Sequence, residues 1–210
     1  MERTKFTLIS IIAFVILPLI GAPGLLLSWQ VMYIILFVIV LNFTQPALGE
    51  GEASDNKSSD GGSVFLVVVC SALSLLIPII HWAYFKHETN GEVVILGVVL
   101  NIFGLSFRYY SIKILGKFFK ATVVLQKEHQ LITEGPYKIL RHPSYTGALL
   151  AFSSISLVLS SFLGFVCSFI LMILAYVYRT NREEKALRAH FGEKYIEYSK
   201  KTNKLIPYLW

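Results

Sequence analysis

Apolar blocks, each about as long as a bilayer is thick, constrain this chain more than any other feature. They occupy residues 6–20, 25–43, 64–85, 92–110 and 146–178, and one helical crossing of the hydrocarbon core takes roughly 20 such residues. The apolar residues fill continuous stretches instead of recurring on one helical face, so each block reads as lipid-embedded, not as half of a soluble helix. A mean hydropathy of +0.62 and a hydrophobic content of 55% exclude an ordinary soluble domain. The predicted fold class is all-α, a polytopic membrane helix bundle. Residues 1–210 form a single integral membrane domain, with four spans in 1–110 and a functional half in 111–210.

Turn residues set the number of crossings. Gly21-Ala22-Pro23-Gly24 follows the first block and another apolar run follows at once, which predicts a retained helical hairpin and not a cleaved leader. Residues 146–178 are too long for one ordinary span. Ser160, Ser161 and Gly164 near their middle predict a second tight hairpin, giving six spans. Pro78 is expected to kink the third span, with His81 and Trp82 as interfacial anchors at its end. Gly97 and Gly104 are expected to let the fourth span approach a neighbour closely. Residues 45–62, rich in Ser, Asp and Gly, read as a solvated loop.

Six spans place both termini and the polar interval 111–145 on one side. Of the 19 Lys and Arg, Lys86 alone falls in a loop assigned to the other side, leaving 18 on or beside the first. The positive-inside rule makes that side cytoplasmic. The net charge of +6 therefore expresses topology, and no nucleic-acid partner is expected. Cys70 and Cys167 lie inside apolar runs and read as small buried side chains, with no disulfide and no metal site.

The polar interval carries the chemistry-bearing residues. Lys113, Lys117 and Lys120 beside Ile114, Leu115, Phe118 and Phe119 read as an interfacial helix with snorkelling lysines. Residues 129–145 then gather two His, an Arg, a Glu, two Tyr and two Pro. Lipid cannot satisfy such a segment, so it lies at the interface or lines a protein-walled cavity. Gly135-Pro136 is a turn signal, and Pro143 restrains His142 to an extended backbone. Tyr137 and Tyr145 offer flat faces that suit a heterocycle. The competing reading is a plain connector with belt aromatics.

Beyond the last block, Arg179 and Glu183 stand one helical turn apart. Ala186, Leu187 and His190 continue their face, and Glu184 and Arg188 are expected to point elsewhere. On an open surface such a pair is worth only ~0.3–0.5 kcal/mol; at a membrane exit it can face the cavity floored by the His142 loop. Gly192 is a predicted helix stop, followed by a short amphipathic helix. No dinucleotide fingerprint, phosphate loop, zinc-protease signature or nucleophile elbow is present, so any nucleotide-like cofactor is held without a soluble nucleotide fold.

The motifs combine into a known pattern. His129-x-Leu131-Ile132-x-x-Gly135-x-Tyr137 precedes Arg141-His142-Pro143-Ser144-Tyr145-x-Gly147. Arg179-x-x-x-Glu183-Glu184, Phe191-Gly192-x-x-Tyr195-x-x-Tyr198 and Pro207 follow in order. Over its C-terminal half the chain resembles the isoprenylcysteine carboxyl methyltransferase family, within the phospholipid-methyltransferase-like membrane enzymes. The resemblance implies S-adenosyl-L-methionine in a non-Rossmann C-terminal pocket open to the cytoplasm. It implies cofactor contacts at His129, Gln130, Leu131, Ile132, Tyr137, His142, Pro143, Ser144, Tyr145 and Glu183. Gln126 joins them at a spacing that differs from the family's. Arg179 would meet the substrate, and Arg179 and Glu183 would form the catalytic pair.

The implied activity is methyl transfer to a lipidic acceptor, first an isoprenylcysteine-type carboxylate, with membrane lipid as the surrounding partner. A phospholipid or small amphipath is the alternative acceptor, because a shared fold does not fix the substrate. Membrane sterol reductases carry a string like 141–147, which keeps a nicotinamide-dependent reductase in view. A scaffold whose basic face binds anionic lipid is the non-enzymatic alternative.

Overall fold

The computed structural model describes residues 2–44, 61–85, 89–119 and 130–207. Helix α1 (Glu2–Ile11) runs on through a π-helical turn (Ile12–Ile16) and a short 3-10 turn (Leu17–Leu19). After it come α2 (Trp29–Thr44), α3 (Ser63–Phe85), α4 (Gly91–Leu115), α5 (Pro143–Val158), α6 (Phe162–Phe191) and α7 (Glu193–Lys201). Among the described residues the only β pairing outside helices is an isolated parallel bridge between Leu140 and Asn203. The all-helical expectation holds. By length and composition, three helices among the described residues can cross a membrane: Ser63–Phe85, Gly91–Phe118 and Phe162–Phe191. Thr4–Leu19, Trp29–Thr44 and Pro143–Val158 are apolar but shorter, so the six expected spans correspond to three helices of spanning length and three shorter apolar ones.

Both predicted hairpins are present. The first turns at Gly21–Leu25 and returns as α2, with Tyr84 of α3 donating its hydroxyl hydrogen to the Pro18 carbonyl at 2.8 Å. In the second, α5 stops at Val158, Ser160 takes a positive φ of 50°, and the Ser161 hydroxyl caps α6 by accepting from the Gly164 N–H at 3.0 Å. His81 is more than a belt residue, because its Nδ1 lies 2.9 Å from the Ser161 hydroxyl and ties α3 to this turn.

The glycines act where helix backbones touch. A Cβ on Gly104 would come within 2.7 Å of the Ala151 nitrogen and the Gly147 oxygen, and one on Gly97 within 2.6 Å of the Val158 nitrogen. Helices α4 and α5 therefore cross backbone against backbone, the use of small residues that membrane helix pairs favour. Buried Pro78 sits inside α3, where its Cβ would lie 2.6 Å from a Cβ on Gly164.

The fourth block does not end at 110. Helix α4 continues through Ser111–Leu115 and a 3-10 turn at Gly116–Phe118, so Lys113 belongs to its last turn and not to a separate interfacial helix; Lys120 lies outside the described residues. One buried cluster then joins Val15 and Leu19, α2, α3, α5 and α6 to Leu205 near the C-terminus. That cluster packs α5 against the apolar part of α6.

Candidate functional site

Two helix ends meet to make the site. Pro143 opens α5, where its missing N–H costs nothing and its fixed φ suits the first helical position. His142 precedes it, and the backbone N–H groups of Tyr145 and Thr146 bond to the His142 carbonyl at 3.1 and 3.3 Å. Opposite, α6 changes from apolar to charged at Arg179, only 3% exposed. Arg179 Nε donates to Glu183 Oε1 at 2.7 Å and lies 3.3 Å from the Tyr145 hydroxyl. Its Nη1 donates to the Ser63 hydroxyl at 2.8 Å. The Tyr145 hydroxyl donates to the same Glu183 oxygen, and His142 Nδ1 lies 3.4 Å from the other. Buried Arg179 and half-buried Glu183 are thus paired and cross-linked to α5 and to the first residue of α3.

Glu184 corrects the sequence reading. It does not point away; it is buried and gathers four basic groups. Arg141 Nε donates to its Oε1 at 2.8 Å, and His142 Nε2 stands 3.4 Å from that oxygen without hydrogen-bond geometry. Arg188 and Lys204 lie 3.6 and 3.8 Å from Oε2. Arg188 therefore also turns toward the cluster.

The segment after α7 closes this side. Arg141 N–H donates to the Asn203 carbonyl at 2.8 Å, His142 N–H to the Lys204 carbonyl at 3.1 Å, and Asn203 N–H to the Ile139 carbonyl at 2.9 Å. Arg141 Nη1 also binds the Ser199 carbonyl at 3.0 Å and the Thr202 carbonyl. Residues 199–204 strap the His142 loop in place, a role no motif announced. Burial alone would lower the basicity of His142, but the adjacent carboxylates of Glu183 and Glu184 override it, and its pKa is raised above the ordinary imidazole value.

The other expected residues divide. Tyr145 enters the site through its hydroxyl and not its face, since its ring stacks on Tyr176 and His142 with centroids 4.8 and 5.8 Å apart. Tyr137 is buried but serves the scaffold: its hydroxyl donates to the Ser111 carbonyl at 3.3 Å, and its carbonyl accepts from Tyr198 at 2.7 Å. Pro143 and Ser144 are buried at the start of α5. Gln130 is exposed and Leu131 and Ile132 half-buried, on the strand of coil leading to the Gly135 turn. Gln126 and His129 lie outside the described residues.

A cavity of about 260 Å³ opens beside this cluster. Arg179, Tyr145 and Arg108 form its polar end, while Phe14, Val38, Val67 and Leu75 are among its apolar walls. Helices α1, α2 and α3 thus complete a chamber whose chemistry sits on α5 and α6. Among the described residues no group of His, Cys, Asp and Glu has the makings of a metal site, and both cysteines are free thiols.

Residues 93–194 match the phospholipid methyltransferase family. The chain is 26% identical over 146 residues to protein-S-isoprenylcysteine O-methyltransferase B of Arabidopsis thaliana, covering 69% of this chain and 73% of that one. It is 29% identical over 158 residues to the Saccharomyces cerevisiae protein-S-isoprenylcysteine O-methyltransferase, covering 74% and 66%. With the Homo sapiens protein of that name it shares 28% over 146 residues, 69% of this chain and 51% of that one. The solved structure of a eukaryotic intramembrane Ras methyltransferase, an isoprenylcysteine carboxyl methyltransferase, superposes with a TM-score of 0.63 at 20% identity. The match covers 99% of this chain and 75% of that one, so the fold is shared from end to end.

Proposed function

We infer that this chain, which resembles the isoprenylcysteine carboxyl methyltransferases in both sequence and fold, is a membrane methyltransferase for a lipid-borne carboxylate. One observation carries the reading: a buried arginine paired with a half-buried glutamate stands where an apolar cavity meets a polar, strapped loop. A prenyl tail suits the apolar walls and a carboxylate suits the arginine end.

The donor set fits S-adenosylmethionine. Glu183 offers a half-buried carboxylate to a cationic ligand, and His142 keeps a buried Nε2 without a hydrogen-bond partner among the described residues. Glu183, His142, Ser144 and the Tyr145 hydroxyl would hold the cofactor, with Gln130, Leu131 and Ile132 on the approach to it. When bound, it supplies an electrophilic methyl group on a sulfonium. Displacement of that kind needs alignment and desolvation more than a general base. Arg179, fixed by Glu183 and Ser63, aligns the acceptor, and the apolar chamber excludes water. The whole of 1–210 acts as one unit, because α1–α3 wall the cavity that α5 and α6 serve. The site faces the cytoplasm, the side that carries nearly all of the Lys and Arg. The acceptor enters from the bilayer and the cofactor from water.

The test is transfer of a radiolabelled methyl group from S-adenosylmethionine by purified protein to a panel of prenylcysteine analogues, phospholipids and small amphipaths. Labelling of prenylcysteine is the expected outcome. No labelling of any acceptor, together with binding of NADPH, would replace this reading with the reductase one.

A further inference from the structure

A second guanidinium lines the cavity, and the motifs of the C-terminal half do not include it. Arg108 projects from α4 and is 9% exposed. Its Nη1 donates to the Ser144 carbonyl at 3.0 Å, while its Nε is buried without a hydrogen-bond partner among the described residues. Among the described residues no acidic side chain pairs with it. Arg179, at the same polar end of the cavity, differs in this respect: its charge is matched by Glu183 at 2.7 Å.

A guanidinium cannot shed its proton to relieve burial, and a buried charge without a partner is costly. The cavity beside Arg108 therefore favours an anion. We propose that Arg108 is the counter-charge for the acceptor's carboxylate and the residue that selects anionic over neutral acceptors. The proposal rests on the methyltransferase reading above and divides the work between two arginines. Arg179, neutralised and held on two sides, supplies orientation, whereas Arg108 supplies uncompensated charge.

Direction of turnover follows from the same contact. The acceptor is anionic and the ester made from it is neutral, so the product loses its partner at Arg108 and leaves more readily than the substrate. The bond from Nη1 to the Ser144 carbonyl also places Arg108 against the first turn of α5, beside the residues assigned to the cofactor.

The experiment uses the full chain in detergent or nanodiscs. Two prenylcysteine ligands are compared by displacement binding, the carboxylate and its neutral carboxamide, with S-adenosylhomocysteine binding measured alongside. A charge-assisted contact predicts that wild type prefers the carboxylate by about tenfold or more. Arg108→Ala removes that preference and raises the acceptor KM by a similar factor, with S-adenosylhomocysteine affinity and kcat changed far less. Arg108→Lys recovers part of the preference and serves alone if the alanine variant does not fold. An Arg108→Ala or Arg108→Lys protein with undiminished preference for the carboxylate overturns the proposal, as does a wild type that binds both ligands equally. Failure of wild type to methylate any acceptor brings down the methyltransferase reading instead, and the two failures are read in separate assays.

Discussion

Glu183 and Glu184 are neighbours in sequence with different duties, and their substitution should separate them. Glu184 balances Arg141 and Lys204 in a place with little water, so Glu184→Gln strands buried cations. Breaking such a partnership costs about 3 kcal/mol or more, or roughly 6–12 °C in the thermal midpoint of a chain this size. Glu183→Gln also deprives buried Arg179 of its counter-charge, so it should lose stability too, but it should in addition weaken S-adenosylhomocysteine binding, as calorimetry would show; equal loss of affinity in the two variants would refute the division. His142 adds a pH dependence. Its raised pKa means that its contribution is full below the unfolded imidazole value of about 6.5 and is lost as pH rises through the higher folded value. The thermal midpoint should therefore fall as pH climbs from near neutral into the alkaline range, and His142→Gln should flatten that slope. The Arg179–Glu183 spacing was legible in the sequence because one helical turn separates the two. Glu184 was not, since it lies about 100° further round the helix. That flank matters only because the strap and Arg141 come to cover it, and no local pattern reveals where residues 199–204 return.

At the scale of elements, the strap and the α4–α5 crossing hold the site together. Truncation after Lys201 removes the carbonyls of Thr202, Asn203 and Lys204 that fix Arg141 and His142, while α7 stays whole. Such a protein should still insert into membranes but lose S-adenosylhomocysteine binding; retained affinity would show the strap to be incidental. Gly147→Val tests the crossing. A Cβ at Gly147 meets the Arg108 nitrogen and the Gly104 oxygen at 2.7 Å, both backbone atoms of a neighbouring helix, so α4 must move away. The expected result is loss of folded, monodisperse protein in detergent chromatography. The hairpins were readable because Gly, Pro and Ser mark turns wherever they interrupt apolar blocks. The end of α4 was not, because Arg108 and Lys113 look like the close of a span. Burial of Arg108 and Ser111 against the second half of the chain keeps the helix running to Leu115, a tertiary effect that overrides the local pattern.

On the scale of the whole molecule, the N-terminal half explains itself through the cavity. Its sequence carries no motif, yet Phe6, Ser10 and Phe14 of the first hairpin and Val64 to Leu75 of α3 line the chamber that ends at Arg179. A prenyl tail recognised by apolar walls needs shape and not particular side chains, so hydropathy alone is legible there. That argument yields a test of the walls that leaves the polar end untouched. Ala72 lies on α3, half-buried, with its side chain on the cavity. Ala72→Phe fills part of the space with a ring and shortens the tail that can be housed. Each methylene denied burial costs about 0.8 kcal/mol, so a tail longer by one isoprene unit should lose much more affinity than a shorter one. The acceptor KM should rise at least about tenfold more for the longer tail, with S-adenosylhomocysteine binding and the pH slope set by His142 unchanged. If long and short tails suffer alike, the tail lies elsewhere in the bundle, and the cavity between the two halves of the chain is only packing.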